Sequence, residues 1–525
     1  MTPRFPAGAT GAVGLAALAL LLNPAAALPE QAHLSLTRRV DELRLVWVSG
    51  TKGGDPTISY KQAGGAQQSV TGTSRTYTID QLCAAPANEA ANFEDPGQIN
   101  TATMTGLVPG QRVWFTYGTT VDGYANSTAV PGLPANATSA NIVILADMGR
   151  ASASIDQLAH EVETTSVVLF PGDLSYAMGR KGLWADWFRM VEPVFKRVPL
   201  QTGCGNHDVL QLQGAERFWP PWGSYEFDSG TQGECGVPFQ HLMAMDGGDS
   251  PSGERTINNN WTSLDLPGVA HVITLSTEHN FTQGSAQAKW LLSDLAAVNR
   301  TRTPWVLVQF HRPMYDSTFN ALLPEEGATR AILEPVLEAG GADLVLTGHV
   351  HDYQSMHCRV YNGTCRSGAA PVGRPVMLVG GGGKTSGVRA WMDEPAWLAA
   401  RTNGLGYARF QPRNGSVALW QWVFNTNGTV FDQHWIERPV HSAARAARAA
   451  GETDAPAADA DPAALEAWRR ARVAAWMRSE RDTVGDLGSG LPVAEARAAA
   501  VKGAGMAAER GEIIDPTPLF DAWGL

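Results

Sequence analysis

The chain has 525 residues, with 40 basic and 51 acidic side chains and a formal net charge of −11. This length allows two or three domains, and the acidic balance argues against binding to the backbone of a nucleic acid. It does not exclude a small anionic substrate, because metal ions can neutralise such a substrate.

The N-terminus is typical of a secretory signal peptide. Arg4 precedes an apolar run over residues 11–22, and three alanines follow at residues 25–27. This order predicts a signal peptide over residues 1–27 that is cut after about Ala27; an uncleaved anchor is the alternative. Neither this run nor any later stretch has the roughly 20 apolar residues that a spanning helix needs. We therefore expect no membrane span after leader removal, and a secreted protein located outside the cell, in the cell wall or in a vacuole.

Alternating apolar residues and glycine-rich turns predict β-structure over residues 28–135. The alternation is clearest in two predicted strands, one with Leu43, Leu45 and Trp47 and one with Val113, Phe115 and Tyr117. The second strand follows the segment Leu-Val-Pro-Gly, an arrangement that resembles a fibronectin type III sandwich. We expect this β-domain to carry no chemistry of its own.

Residues 139–440 alternate strand-like runs with helices, and four apolar runs each end in a side chain that can bind a metal ion. Residues 142–145 lead to Asp147, residues 167–170 to Asp173, residues 305–308 to His311, and residues 344–346 to His349 and His351. Open α/β sheets place their functional sites at such strand ends, and glycines beside the ligands allow the backbone to turn sharply.

Further donors lie close to these strand ends in the sequence. A Pro-Gly turn after the second run delivers Asp173 and, three residues later, the phenol of Tyr176. Asn206 and His207 follow in a Gly-Asn-His-Asp segment. The glycine-rich stretch 380–385 lacks the first glycine of a phosphate-binding loop, so we predict a tight loop near the site there instead.

One helix can be predicted from its spacing, and a second lies in the tail. Leu291, Leu295 and Val298 recur at helical spacing and predict a helix with one buried face over residues 288–298. Residues 441–525 are rich in Ala and Arg, and an Asp-Pro pair at residues 461–462 is typical of a helix start. This tail is a partly helical extension, a disordered segment or a partner-binding segment, and the sequence does not decide between them.

Eight Asn-x-Ser/Thr sequons, together with the leader, favour a eukaryotic secretory route and predict a glycoprotein. The acceptor asparagines are Asn126, Asn136, Asn260, Asn280, Asn299, Asn362, Asn414 and Asn427.

The chain has five cysteines, none with the spacing of a structural zinc site. Cys358 and Cys365 are seven residues apart and suit a hairpin disulfide in an oxidising compartment. Cys204 is expected to be a buried free thiol, but the pairing of Cys83, Cys204 and Cys235 stays open.

The ordered series of strand-end donors is similar to the five-block signature of the purple acid phosphatases, a branch of the binuclear metallophosphoesterases. The resemblance covers about residues 28–438 and extends to the segments Gly-Glu-Cys-Gly-Val-Pro at 233–238 and His-Arg-Pro-Met-Tyr at 311–315. It implies an α+β multidomain fold. A fibronectin type III-like β-sandwich over residues 28–135 would precede a calcineurin-like metallophosphoesterase α/β sandwich over residues 139–440, with two mixed sheets flanked by helices.

Carried over position by position, the resemblance implies two metal sites that share Asp173. One metal would take Asp147, Asp173, Tyr176 and His351, and the other Asp173, Asn206, His311 and His349. Carboxylates and a phenolate are hard donors that suit Fe(III), whereas an amide oxygen and two imidazoles suit divalent Zn, Mn or Fe. Tyrosine ionises near pH 10 in water, so it binds as phenolate near neutrality only beside a strongly charged cation.

In the same scheme Asn206 and His207 would bind the substrate, and His207 would be the catalytic acid that protonates the leaving oxygen. Asp208, the next residue in the sequence, would orient His207. One departure is the sequence Phe-Asn-Ala at residues 319–321, where the best-known plant members have paired histidines. Help from such a pair cannot be assumed here.

The resemblance implies a secreted acid phosphatase, a phosphoric monoester hydrolase that cleaves small phosphorylated substrates with a metal-activated hydroxide at an Fe(III)–M(II) centre. A nucleotide pyrophosphatase/phosphodiesterase with the same centre is the alternative, because long members with similar wording are often so labelled. A catalytically weak binding protein is a second alternative. The physiological substrate, the divalent metal and the choice between monomer and homodimer stay open.

Overall fold

The computed structural model describes residues 29–438, apart from residues 51–52, 131, 135–136, 210–230, 247–258, 319–323, 367–374 and 386–389. The predicted signal peptide and the predicted tail helix therefore lie outside the described residues. Within the described residues, no helix is long and apolar enough to cross a membrane.

The N-terminal part is a β-sandwich. Its elements are β1 (Glu30–Leu36), β2 (Leu43–Ser49), β3 (Thr57–Gln62), β4 (Gln68–Thr71), β5 (Thr73–Arg75), a 3-10 helix (Ile79–Gln81), β6 (Gln98–Met104), β7 (Val113–Thr119) and β8 (Gly123–Ala129). They form two antiparallel four-stranded sheets in the orders β1-β2-β6-β5 and β4-β3-β7-β8. Trp47 of β2 meets Tyr117 of β7 edge-on, with 5.7 Å between ring centroids, so the alternating residues of the two predicted strands pack in the core between the sheets. Val46 and Val48, on the opposite face of β2, are also buried.

The second part follows with fifteen strands and five helices among the described residues. They are β9 (Ile142–Ile144), α1 (Ser152–Ala159), β10 (Val167–Phe170), α2 (Leu183–Phe195), β11 (Leu200–Thr202), α3 (Val237–Leu242), β12 (Thr262–Leu266), β13 (Ala270–Thr274), α4 (Ala286–Ala297), β14 (Trp305–Gln309), α5 (Pro324–Gly340), β15 (Leu344–Thr347), β16 (Tyr353–Met356), β17 (Arg359–Tyr361), β18 (Thr364–Arg366), β19 (Val376–Val379), β20 (Leu398–Thr402), β21 (Gly406–Pro412), β22 (Val417–Phe424) and β23 (Val430–Glu437).

These strands form two large mixed sheets and a small hairpin. The six-stranded sheet has the order β11-β10-β9-β21-β22-β23, the seven-stranded sheet has the order β12-β13-β14-β15-β19-β16-β20, and β17 pairs with β18. Strands β9, β10 and β11 run parallel in the first sheet, and β13, β14, β15 and β19 run parallel in the second.

The central strands are largely apolar, and both of their faces are buried. In β9, Ile142 and Ile144 pack into the core between the two sheets, while Val143 packs outward with the residues of α1 and α2. In β14, Val306 and Val308 pack outward against α4 and α5. The predicted arrangement of two mixed sheets flanked by helices is confirmed.

Helix α4 forms where the spacing predicts it. The Ser285 side chain accepts a hydrogen bond from the backbone N–H of Ala288 at 3.1 Å and caps the helix start. Leu291 and Leu295 are buried on one face, where they share a core with Leu337 of α5.

The β-sandwich and the second part are in direct contact. Strand β1 packs on helix α2, and the backbone N–H of Gln31 donates to Glu192 of that helix at 2.8 Å. The buried guanidinium of Arg44 pairs with Asp246 at 3.0 Å. A disulfide joins Cys83 of the sandwich to Cys235 just before α3.

Candidate metal centre

The predicted donors lie in loops at one edge of the two large sheets, where the parallel strands end. Asp147 follows β9, Asp173 and Tyr176 follow β10, Asn206 and His207 follow β11, His311 follows β14, and His349 and His351 follow β15. Parallel strands in neighbouring sheets that end at the same edge bring residues that are far apart in sequence into one place. The sequence did not predict β11, because three residues after a proline are too short a run to show periodicity.

The backbone of this region adopts an unusual conformation. Asp147, Asp173, Tyr176 and His349 all have φ between +53° and +73°, a region that non-glycine residues rarely occupy and that clusters at functional sites. Two glycines allow the backbone to pass close to these carboxylates. A Cβ added at Gly205 would lie 2.2 Å from Asp173 Oδ1, and a Cβ added at Gly348 would lie 2.6 Å from Asp147 Oδ2.

One group of donors is rich in oxygen. Ligand atoms of Asp147, Asp173 and His351 lie within 4.8 Å of one another. The Tyr176 hydroxyl donates to Asp147 Oδ1 at 3.0 Å and lies 2.9 Å from His351 Nε2. The structure thus brings together the four residues that the resemblance implied for the first metal.

The other group is rich in nitrogen and shares Asp173 with the first. Ligand atoms of Asp173, His311 and His349 lie within 4.8 Å of one another. Asn206 Oδ1 is 3.1 Å from His311 Nε2 and 3.0 Å from His349 Nδ1, and His311 Nε2 is 3.3 Å from Asp173 Oδ2. These four residues are the ones that the resemblance implied for the second metal.

A second layer of hydrogen bonds fixes these side chains. His311 Nδ1 lies 3.1 Å from the carbonyl oxygen of Pro171; donating a proton there leaves Nε2 with its lone pair facing the cluster. The backbone N–H of His349 donates to Asp147 Oδ2 at 2.8 Å. Such contacts orient metal ligands without touching the metal.

Asp208 braces the loop that carries Asp173. Its carboxylate accepts hydrogen bonds from the backbone N–H groups of Asp173, Leu174 and Gly205 at 2.6, 2.9 and 3.0 Å. The sequence suggested that Asp208 orients His207. The contacts of its carboxylate assign it a backbone role instead, which only tertiary structure reveals.

The charges of the buried groups depend on one another. Burial opposes ionisation of Asp173, but the imidazoles of His311 and His207 outweigh it and hold the pKa of this carboxyl well below its usual value. Burial and then the carboxylates of Asp147 and Asp173 raise the pKa of the Tyr176 phenol well above its usual value. A phenol among carboxylates ionises only when cations join them, so the donor set fits a pair of bound metal ions.

His207 lies over the oxygen-rich group. Its ring centroid is 4.4 Å from that of Tyr176, its side chain is half-buried, and its backbone N–H donates to Asp173 Oδ1 at 2.8 Å. The imidazole is therefore held beside the donors without belonging to either group of three.

The glycine-rich stretch forms a tight loop at the site, as predicted. The backbone N–H of Lys384 donates to the carbonyl oxygen of Asp147 at 2.8 Å, and its ammonium lies 4.4 Å from the centroid of the Tyr176 ring. The sequence predicted neither contact of Lys384, because both join residues that are more than two hundred positions apart in the sequence.

Three family models match the chain in order. The purple acid phosphatase N-terminal domain matches residues 29–130, the calcineurin-like phosphoesterase model matches residues 140–353, and the iron/zinc purple acid phosphatase-like protein C model matches residues 375–433. Purple acid phosphatase 18 of Arabidopsis thaliana is 30% identical over 421 residues, which cover 79% of this chain and 86% of that protein. The chain belongs to the purple acid phosphatase family.

Other purple acid phosphatases differ in what their names say about activity. The probable inactive purple acid phosphatase 9 of Arabidopsis thaliana is 29% identical over 443 residues, and these cover 77% of this chain and 66% of that protein. The structure of purple acid phosphatase PPD1 from yellow lupin seeds superposes with a TM-score of 0.69 at 23% identity, covering 78% of this chain and 75% of that one. The lupin structure therefore supports the fold alone. Family and fold together support a dinuclear metal centre and hydrolase chemistry.

The structure gives the state of each of the five cysteines, which can be compared with the predictions from their spacing. Cys358 and Cys365 form the predicted disulfide across a hairpin whose turn residues, Asn362 and Gly363, both have positive φ, as a tight two-residue turn requires. Cys204 is a buried free thiol, as expected. Cys83 pairs with Cys235, which the sequence left open.

The remaining predictions concern the segment 319–321 and the eight sequons, which differ in whether the structure describes them and in how exposed they are. Residues 319–321, which replace the paired histidines, and the sequon at Asn136 lie outside the described residues. Five sequon asparagines are exposed: Asn126, Asn299, Asn362, Asn414 and Asn427. Asn260 and Asn280 are half-buried, and their side chains accept hydrogen bonds from Gln240 and Thr282.

Proposed function

We propose that this chain is an acid phosphatase that hydrolyses phosphate monoesters, with its active site at the two donor groups that share Asp173. One observation carries the proposal: the carboxylate of Asp173 lies within 4.8 Å of both the Asp147–His351 side and the His311–His349 side. A shared carboxylate between two donor sets is the arrangement that holds two cations close together.

We assign Fe(III) to the side with Asp147, Tyr176 and His351, and a divalent Zn, Mn or Fe to the side with Asn206, His311 and His349. The assignment rests on donor chemistry, because hard phenolate and carboxylate oxygens suit the more highly charged ion. When bound, the two ions would supply charge neutralisation for the phosphate and a water of lowered pKa.

The chain's own residues divide the remaining work. Asp173, held ionised by its neighbours, supplies negative charge between the two sides. His207 lies over the ring of Tyr176, where it can hold a phosphate oxygen and give a proton to the leaving oxygen. Asn206 orients the nitrogen-rich side through its contacts with His311 and His349.

A second candidate function uses the same centre on phosphodiesters or pyrophosphates. The observation that favours it is positive charge on the Tyr176 side of the site: the Lys384 ammonium lies against the phenol ring. Burial lowers the pKa of that ammonium, and the guanidinium groups of Arg180 and Arg150 lower it further. Additional positive charge suits substrates that carry a second phosphate or a longer anionic chain.

The deciding experiment measures metal content and hydrolysis by the purified chain on four substrates: an alkyl phosphate, nitrophenyl phosphate, a nitrophenyl phosphodiester and pyrophosphate. We expect about two metals per chain and the highest kcat/KM on monoesters at acidic pH. Asp173→Asn should lose metal and more than about a hundredfold in activity, whereas Asp186→Asn, on an exposed side chain of α2, should change neither. Faster diester or pyrophosphate cleavage would favour the second candidate, and a wild type without metal would contradict both.

We also propose that the chain enters the secretory pathway and is glycosylated. The two disulfides support this route, because disulfides persist in oxidising compartments. Mass spectrometry of the protein from a eukaryotic host should find glycans at the five exposed sequons and a mature N-terminus near residue 28. An unmodified protein that keeps residues 1–27 would contradict the proposal.

A further inference from the structure

Tyr176 lies in a loop whose backbone is held in an unfavourable conformation. Tyr176, Met178 and Gly179 all have φ between +53° and +68°. Non-glycine residues keep such angles only where the surrounding structure determines them. The loop continues to Gly182, which has φ +75° and precedes the first turn of α2. Contacts with the surrounding structure must therefore hold this loop.

Glu234 supplies that contact. Its side chain is 4% exposed; one carboxylate oxygen accepts the backbone N–H of Gly179 at 3.0 Å and the other accepts the indole N–H of Trp184 at 3.1 Å. A single buried carboxylate thus binds both the end of the Tyr176 loop and the start of α2. Hydrogen bonds to a charged acceptor are stronger than neutral ones.

The segment that carries Glu234 is itself tied to the β-sandwich. Cys235 forms the disulfide with Cys83, and the carbonyl oxygen of Gly233 accepts the backbone N–H of Cys83 at 2.8 Å. The approach is so close that a Cβ at Gly233 would lie 2.1 Å from the carbonyl oxygen of Ala84. Like the Tyr176 loop, this segment is strained: Gln232, Gly233, Cys235 and Gly236 all have positive φ.

The three segments meet at one point. An added Cβ at Gly179 would lie 2.8 Å from the carbonyl oxygen of Gln232 and 3.0 Å from the backbone nitrogen of Ala87. The Tyr176 loop therefore packs directly on the Glu234 segment and on the sandwich residues beside Cys83. No part of this junction belongs to the metal ligands.

We propose that Glu234 is a positioning residue for Tyr176, and that the Cys83–Cys235 disulfide anchors it to the β-sandwich. The N-terminal domain thereby helps to aim the phenol at Asp147 and His351. The proposal rests on the proposed function in one respect, since it takes Tyr176 to be an iron ligand.

The test compares Glu234→Ala and Glu234→Gln with the wild type in two measurements. The first is the visible tyrosinate-to-iron absorbance per bound iron. The second is hydrogen exchange of the amides in residues 177–184 of the metal-free protein, which does not depend on iron. Glu334→Gln is the matched control, because Glu334 is also a buried carboxylate that accepts two hydrogen bonds, from the Tyr315 hydroxyl and from the backbone N–H of Asn362.

We expect Glu234→Ala to shift the absorbance band or lose most of it at unchanged iron content, and to speed exchange in residues 177–184 by about tenfold to a hundredfold. Glu234→Gln keeps one acceptor oxygen and should show a smaller effect of the same kind. If Glu234→Ala does not fold, Glu234→Gln tests the positioning role by itself. Glu334→Gln should leave both measurements unchanged.

The disulfide is tested in the same way with the double variant Cys83→Ser/Cys235→Ser, for which Cys358→Ser/Cys365→Ser is the control. We expect faster hydrogen exchange in residues 177–184 in the Cys83→Ser/Cys235→Ser variant only.

Wild-type absorbance and wild-type hydrogen exchange in both Glu234 variants would overturn the positioning role while leaving the proposed function intact. An iron-loaded wild type without a visible band would instead contradict the assignment of Tyr176, and exchange unchanged by loss of Cys83–Cys235 would overturn the anchoring role.

Discussion

At the scale of single residues, Tyr176 has the most specific physical consequence. A tyrosinate bound to Fe(III) absorbs visible light by charge transfer from ligand to metal. Tyr176→Phe should therefore abolish the visible band, while the buried ring keeps its contacts with His207 and Lys384 and the protein stays folded. The measurement is the absorption spectrum of the iron-loaded variant beside its circular dichroism. A band that survives in Tyr176→Phe would remove Tyr176 from the ligand set.

A different prediction concerns His207, because it lies over the donor groups and is not itself one of the proposed metal ligands. General acid help contributes about 10²–10⁴-fold in rate and matters most for poor leaving groups. His207→Ala should therefore keep both metals and lose far more kcat on an alkyl phosphate than on nitrophenyl phosphate, whose leaving group needs little protonation. Equal losses on the two substrates would mean that His207 only holds the phosphate.

At the scale of elements, a buried histidine joins β12, β13 and α4. His271 of β13 contacts Asp265 of β12 at 2.7 Å and Asp294 of α4 at 2.8 Å, with Arg302 and Arg38 beside these carboxylates at 3.6 and 3.8 Å. Burial opposes protonation of His271, but the two carboxylates outweigh it and raise its pKa to about 9.

The sign of the pH dependence follows from that shift. Because the pKa is higher in the folded protein than its ordinary value of 6.5, the stabilisation is complete below about pH 6.5 and is lost as the pH rises through about 9. It amounts to at most about 3 kcal/mol. The free energy of unfolding of His271→Gln should fall below that of the wild type at pH 6, and the gap should close above pH 9. A difference in the free energy of unfolding that stays constant with pH would contradict the charged state of His271. The variant His241→Gln serves as a control.

The sequence predicted what depends on local pattern. The apolar run 167–170 and the helical spacing of Leu291 and Leu295 each specify one element, and both elements form at the predicted places. The four apolar runs placed Asp147, Asp173, His311 and the pair His349 and His351 at strand ends, whereas the division of the donors between two metals was implied by the resemblance to the purple acid phosphatases. Asp208 and Glu234 could not be assigned this way, since their roles are hydrogen bonds to backbone groups in other segments. The Cys83–Cys235 pair spans 152 residues, and spacing alone carries no information over that distance.

At the scale of the whole molecule, the central claim is that the two sheets bring their strand ends together around one shared carboxylate. Asp147 and Asp173 come from the six-stranded sheet, and His311, His349 and His351 come from the seven-stranded sheet. The site therefore forms only when both sheets pack face to face. The β-sandwich contributes from outside through its contacts with α2 and the Glu234 segment.

Anomalous diffraction from crystals of the metal-loaded chain tests that claim most directly. The account predicts two peaks about 3.5–4 Å apart, one beside Asp147, Tyr176 and His351 and the other beside Asn206, His311 and His349, with Asp173 between them. Data collected on either side of the iron edge should place iron at the first peak. A single peak, or two peaks that do not share Asp173, would contradict the account.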